Sequence, residues 1–271
     1  VRKRNYIGAD ATGKNRLGNG WYGIEISQPN NVVGGANAGA GNVVSANGYG
    51  GIVLFLSSAY GNRVQGNLVG TDASGTKDLG NTGRGVEFTN GAHDNRVGGT
   101  TADQRNVISG NDNGGVGFYS GSKNNLLTDN YIGTNAACNA ALANTGAGVM
   151  ITDGAGTNYI GLALCGNVIS GNTREGICIT GGNAGAIIWG NFIGTDVTGR
   201  HKIANSSDGI MAASSGNQIG GRKKGTGNLI AGNGGNALNL YVSIKNYIAR
   251  NMLGITVTGD ALPNLKSNAI P

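Results

Sequence analysis

The chain reads as an all-β protein, a right-handed parallel β-helix, and three regularities predict it. An Asn followed by two apolar residues and a small one recurs nine times in 271 residues, from Asn5-Tyr-Ile-Gly to Asn251-Met-Leu-Gly. Every second copy, at 5, 67, 130, 191 and 251, follows the last by 60 to 63 residues, so the unit is a pair of turns, one short and one long. A Gly-apolar-x-apolar segment keeps step at Gly23, Gly51, Gly85, Gly115, Gly148, Gly176 and Gly209, with a worn copy at Ala237. Short period-two strands punctuated by Gly and Asn, with no helical periodicity, exclude leucine-rich and helical repeats. A solenoid of about eight to nine turns, each of three short strands, is what remains.

Each turn opens on the Gly-Ile-x-Ile strand, whose two apolar residues point inward while the residue between them faces out. A second strand follows at Asn31, Asn62, Asn95, Asn125, Asn158, Asn217 and Asn246, with Ala186 replacing the Asn once. The main Asn starts the third strand. It suits a bend that needs left-handed backbone, where its amide can bond the equivalent Asn one turn away. The solenoid is expected over 1–260, with the Pro-containing segment 261–271 as its tail. Because the chain starts mid-turn at Val1 with no signal peptide and no cap on the first turn, it is expected to be part of a longer precursor.

The long turns carry an insertion of constant length, for example Gly8 to Asn19 and Gly70 to Asn81. The outward residue of each third strand there (Tyr6, Leu68, Tyr131, Phe192, Met252) is apolar and needs a cover. Leu17, Leu79, Leu142, Ile203 and Leu262, eleven or twelve residues after the Asn, are the expected cover. A lateral stripe for self-association is the alternative. Asp10, Asp72 and Asp196 share one loop position, with Asn135 in another copy. That pattern suits a turn former bonding backbone amides. Calcium is the cation such loops would take, but one Asp per loop supplies few oxygens, so no cofactor and no metal site are expected.

The runs Asn67-Leu-Val-Gly-Thr-Asp with Leu79-Gly-Asn81, Asn95-Arg-Val-Gly-Gly, Asn106-Val-Ile-Ser-Gly-Asn111 and Gly176-Ile-Cys-Ile resemble the secreted bacterial parallel β-helix repeat proteins. The resemblance runs through almost the whole chain. It implies an extracellular or cell-surface protein of bacterial origin. It does not imply one activity, because that family spans polysaccharide lyases, epimerases, tailspike-like proteins, adhesins and inert stalks.

Glycine makes up 53 residues and aromatics 6%, as tight corners and a slim core demand. No long apolar stretch offers a membrane segment. A net charge of +6 and the clusters Arg2-Lys3-Arg4, Lys14 with Arg16, Arg200-His201-Lys202 and Arg222-Lys223-Lys224 favour an acidic polysaccharide or cell-surface glycan as partner. Nucleic acid is not expected, because no reader motif is present and aromatics do not interleave with the cations. Cys138, Cys165 and Cys178 fall at dissimilar places in their turns, with Cys178 on an outer strand face, and are expected as free thiols. His93 and His201 lie in different turns and do not form a metal pair. Thr89, Thr152 and Thr180 are too interrupted for an ice-binding array.

The outer face of the first strand offers the best candidate site. Its residues form one column, Glu25, Val53, Glu87, Gly117, Met150, Cys178, Met211, Asn239, beside a second that includes Phe55 and Tyr119. Two turns separate Glu25 from Glu87, about 9.6 Å at the spacing of stacked strands, with Phe55 between. Such a carboxylate pair suits an inverting glycoside hydrolase, and the aromatics suit sugar rings. A lyase or epimerase would instead want a base beside a group that neutralises a carboxylate. Arg63 and Arg96, stacked on the second strand, are candidates to bind a uronate or sulfate. A solvated strand face accounts for the same residues without function. Two classes therefore follow. One is a non-catalytic stalk, adhesin or glycan-binding rod, favoured by the even loop lengths; the other is a polysaccharide lyase, hydrolase or epimerase working on the outer strand faces.

Overall fold

Three parallel sheets wind around one apolar core in the computed structural model, which describes residues 4–182 and 185–266. The first sheet stacks eight strands from Ile24–Ile26 to Leu238–Leu240, and the second eight from Val32–Gly34 to Tyr247–Ala249. The third stacks nine, from Tyr6–Ile7 to Met252–Leu253. The eight strands of each of the first two sheets make about seven stacking steps, slightly fewer than the eight to nine turns expected, and the ninth strand of the third sheet reflects the partial turns at the two ends. Among the described residues there is no α-helix, and no helix is long and apolar enough to cross a membrane. Arg2 and Lys3 of the first basic cluster, and 267–271 of the tail, lie outside the described residues.

The inward residues of all three sheets form a single column, fully buried at Ile52, Leu54, Val64, Ile108, Leu127, Ile132 and Ile160 and only partly buried in the end turns, as at Ile7, Ile24 and Leu253. Phe88 and Phe118 stack inside it with ring centroids 4.7 Å apart. A core this narrow leaves polar corners buried, and these are closed by asparagine. The main Asn side chains bond rung to rung from Asn5 through Asn42, Asn67, Asn106, Asn130, Asn167, Asn191 and Asn228 to Asn251, at 2.8 to 3.1 Å. A second ladder joins Asn31, Asn62, Asn95, Asn125 and Asn158. It lapses at Ala186 and resumes from Asn217 to Asn246. A third, not anticipated as a column, runs from Asn19 through Asn47, Asn81, Asn111, Asn144, Asn172, Asn205 and Asn233 to Asn264. Its last rung carries the inter-turn bonding past residue 260.

The ladder asparagines are not the left-handed residues of the corners. That conformation falls on the residue just before, as at Asn30 (φ 62°), Asp94 (φ 54°), Asn124 (φ 57°) and Asp129 (φ 52°). The reason is that most ladder asparagines bond the next rung with the backbone N–H as well as the side chain, as Asn130 does to Asn167, so their backbone stays extended along the stack.

Each long-turn insertion folds into a small antiparallel loop, with bridges Ala9 to Arg16, Thr71 to Asp78, Thr134 to Ala141, Thr195 to Lys202 and Ile255 to Ala261. These loops lie over the third sheet and bury a second apolar cluster of Val43, Leu68, Leu79, Val107, Tyr131, Cys138 and Val168. The loop-cover expectation holds for Leu79 and Ile203, both buried. It fails for Leu17, which is 71% exposed. The loops also bond one another two turns apart, Ala73 N–H to Gly13 O and Ala136 N–H to Gly75 O, so the cover is a layer of loops rather than one side chain per loop.

All three cysteines are free thiols. Cys138 is buried at φ 52°, where the other long loops have Gly13, Gly75, Gly199 and Gly259. Cys178 occupies the outward column yet is buried, because Met150 and Met211 flank it in register with longer side chains. Burial pushes both thiols up to about 11, which leaves them protonated and unreactive at neutral pH.

Candidate functional site

The register of the first sheet aligns Glu25 with Val53, Val53 with Glu87 and Glu87 with Gly117. Glu25 is exposed and Glu87 half-buried, and both line one cavity of about 290 Å³ together with Phe55. Glu87 and Tyr49 are shared with a neighbouring cavity of about 430 Å³, lined also by Arg84, Tyr119 and Asp153. Burial raises Glu87 above the usual carboxylate range. The Tyr22 hydroxyl, which donates to its Oε2 at 3.3 Å, and the Arg84 charge pull it back only in part.

The first sheet adds groups that strand positions alone did not predict. Trp21 stacks on Tyr49 at 4.6 Å, and Tyr22 meets both rings edge-on. Arg84 lies over the Tyr119 ring at 5.4 Å, and its Nη1 is buried with no partner in the protein. Burial lifts the Tyr119 hydroxyl to about 12 and raises that of Tyr22 as well, so both remain hydrogen-bond donors. Gly117 is what lets this arrangement close. A Cβ there would sit 2.3 Å from Tyr119 Cε2 and 2.7 Å from Arg84 Cδ. The missing signal lay one and two residues before the strand-opening Gly, where Trp21, Tyr22, Tyr49 and Arg84 stand in successive turns around the small Gly50.

Arg63 and Arg96 do align in register, but on the second sheet, and neither lines the cavities that hold Glu25 and Glu87. Arg63 is exposed, while Nε and Nη2 of Arg96 are buried without a protein partner. Tyr119 joins the Glu87 group, and Phe55 the Glu25 group.

The loop aspartates are occupied within their own loops. Asp10 accepts from the side chains of Asn15 and Thr12 and the amide of Lys14, which together hold it far below the usual carboxylate range. For Asp72 burial works the other way but is outweighed by Ser74 Oγ and the amides of Lys77 and Thr76. His93 bonds Asp94 and stacks on Tyr60, and His201 bonds Asp196. Among the described residues no three His, Cys, Asp or Glu side chains converge as a metal site.

A further cavity of about 520 Å³ opens where second strands turn into third strands. The connecting loops run Gly34 to Asn42, Gly98 to Asn106 and Gly220 to Asn228, but the loop from Gly161 to Asn167 is two residues shorter, and the cavity lies over it. Tyr131, Val168, Phe192 and Leu164 line it, and Arg105 is already committed to Asp129 and Tyr131 at its edge. No known protein family, curated protein or solved structure matches the chain.

Proposed function

We propose that the chain is a glycan-binding rod whose binding surface is the outer face of the first sheet, centred on Trp21, Tyr49, Phe55 and Glu87. The observation that supports this most is the aromatic group, since Trp21 and Tyr49 are 58% and 47% exposed beside two carboxylates and an Arg with an unmatched donor. Exposed aromatic faces take the apolar faces of sugar rings, while carboxylates and Tyr hydroxyls take sugar hydroxyls. In this reading the protein works outside the cell or at its surface, as the resemblance to secreted bacterial solenoids implies. Neutral or acidic polysaccharides are its partners. A glycan panel tests the proposal: Trp21→Ala with Tyr49→Ala should weaken binding about tenfold or more without changing the fold. Binding that survives both changes would remove this surface from consideration.

A second reading, cleavage of the bound glycan, is favoured by the raised Glu87. Protonated Glu87 would give its proton to the glycosidic oxygen as the bond to the anomeric carbon breaks. Glu25 would take a proton from the water that attacks that carbon. Their backbones stand two strand steps apart, about 9.6 Å, within reach of the spacing that inverting enzymes use. In this reading activity is present while Glu87 keeps its proton and falls as pH rises through its elevated pKa. Mass spectrometry of polysaccharides incubated with the protein checks it. Shortened products should vanish with Glu87→Gln, and products that persist would exclude Glu87 as the acid.

A further inference from the structure

Far from Glu87, a basic corner stands without counter-charge. The loop 221–227 joins a second strand to a third, and its turn is closed by the buried Thr226, whose Oγ1 donates to Lys223 O at 2.7 Å. Arg222, Lys223 and Lys224 are exposed on that turn, and none takes part in an ion pair among the described residues. Arg222 and Lys223 line a cavity of about 240 Å³ together with Trp189, Gln218, Thr226 and Tyr247, and no carboxylate lines it. Its two aromatic walls are fixed. Trp189 Nε1 donates to Gly220 O at 3.0 Å, and Tyr247 Oη accepts from Arg222 Nε at 3.1 Å. That second bond uses one guanidinium nitrogen and leaves the terminal two for a ligand.

We infer that this corner binds one acidic sugar residue of a polysaccharide, with the ring against Trp189 and Tyr247 and its carboxylate or sulfate held by Arg222 and Lys223. The cavity has the two components such a residue needs: aromatic walls for a ring, and unpaired cations within one turn of chain for an anionic substituent. A nucleic acid is the poorer fit. Strand-binding surfaces need a cationic track with successive stacking platforms, and here the cations are confined to one corner beside a single aromatic pair. The site lies apart from the first-sheet cavities and shares no residue with them, so it stands or falls independently of the proposed function.

The chain has two tryptophans, which makes the site directly observable. In a Trp21→Phe variant the remaining indole emission comes from Trp189. Titration with oligogalacturonate and with a sulfated dextran oligosaccharide should change that emission, and neutral dextran should not. The response to the two acidic probes separates a carboxylate from a sulfate site. Arg222→Glu and Lys223→Glu, both on exposed side chains, should each weaken the acidic probe about tenfold or more. Lys123→Glu, the same charge reversal at an exposed residue that lines neither this cavity nor the first-sheet ones, should leave it unchanged. Three results would overturn the inference: affinity unchanged by either charge reversal, equal affinity for neutral dextran, or equal affinity for a duplex DNA oligonucleotide.

Discussion

Asparagine does at the corners of this solenoid what apolar side chains do along its sheets. Asn130 is typical: fully buried, it takes the backbone and side-chain N–H of Asn106 on Oδ1 and gives its own Nδ2 to Val97 O, Thr128 O and Asn167. Asp could not replace it, since a carboxylate has no donor for those carbonyls. Replacing Asn130 with Ala leaves several buried groups unpaired, at about 1–3 kcal/mol each. We expect a total loss of about 3 kcal/mol, read as a lower urea midpoint with the fold retained. Cys138 shows a different compromise, with a non-glycine side chain in left-handed backbone offset by burial in the loop layer.

At the scale of the element, the long-turn loops hold together by local chemistry and by stacking on one another. Their aspartates act through backbone amides, and this makes the loops sensitive to acid. The sign follows from the direction of the shifts. Asp72 and Asp196 have folded pKa values below those of the unfolded chain, so their stabilising effect is complete above the ordinary carboxylate range and fades as pH falls through the lowered values. Amide exchange at Thr76, Lys77, Arg200 and His201, corrected for intrinsic rates, should therefore accelerate on acidification before the strand amides respond. The loop of Asn135 has an amide in place of the carboxylate and should show no such step.

Across the whole molecule, the strands of each turn pair only with those of the turns beside it, and the long loops reach no further than two turns, so stability is approximately a sum over turns and near-neighbour interfaces. Position then matters as much as chemistry. Asn251 sits on the last described rung of the main ladder and is only half-buried, whereas Asn130 has rungs on both sides. Asn251→Ala should accordingly cost less than half of what Asn130→Ala does in the same urea titration. Equal losses would show that the rod unfolds as one unit rather than from its ends. The solenoid also distributes chemistry around its girth. The first sheet carries the aromatic and carboxylate group, the third is covered by loops, and the corner at 221–227 carries unpaired positive charge.

Period, strand order and the outward column from Glu25 to Asn239 were legible in the sequence, because parallel stacking at equal turn length places equivalent residues side by side. The same periodicity located Phe55 near Glu25, and Arg63 over Arg96. What it could not convey was direction and enclosure at the corners. Trp21, Tyr22, Tyr49 and Arg84 precede their strands in irregular segments, and only the packed turns bring them around Glu87. Burial of Cys178, exposure of Leu17 and the gap over the shortened loop at 161–167 belong to the same class. The sequence by itself determined the repeat, the three sheets and the inward residues, since these follow from periodicity and backbone geometry. Only the tertiary structure decided which outward residues share a cavity, because that depends on how loops of unequal length and side chains of unequal size fill the space between turns.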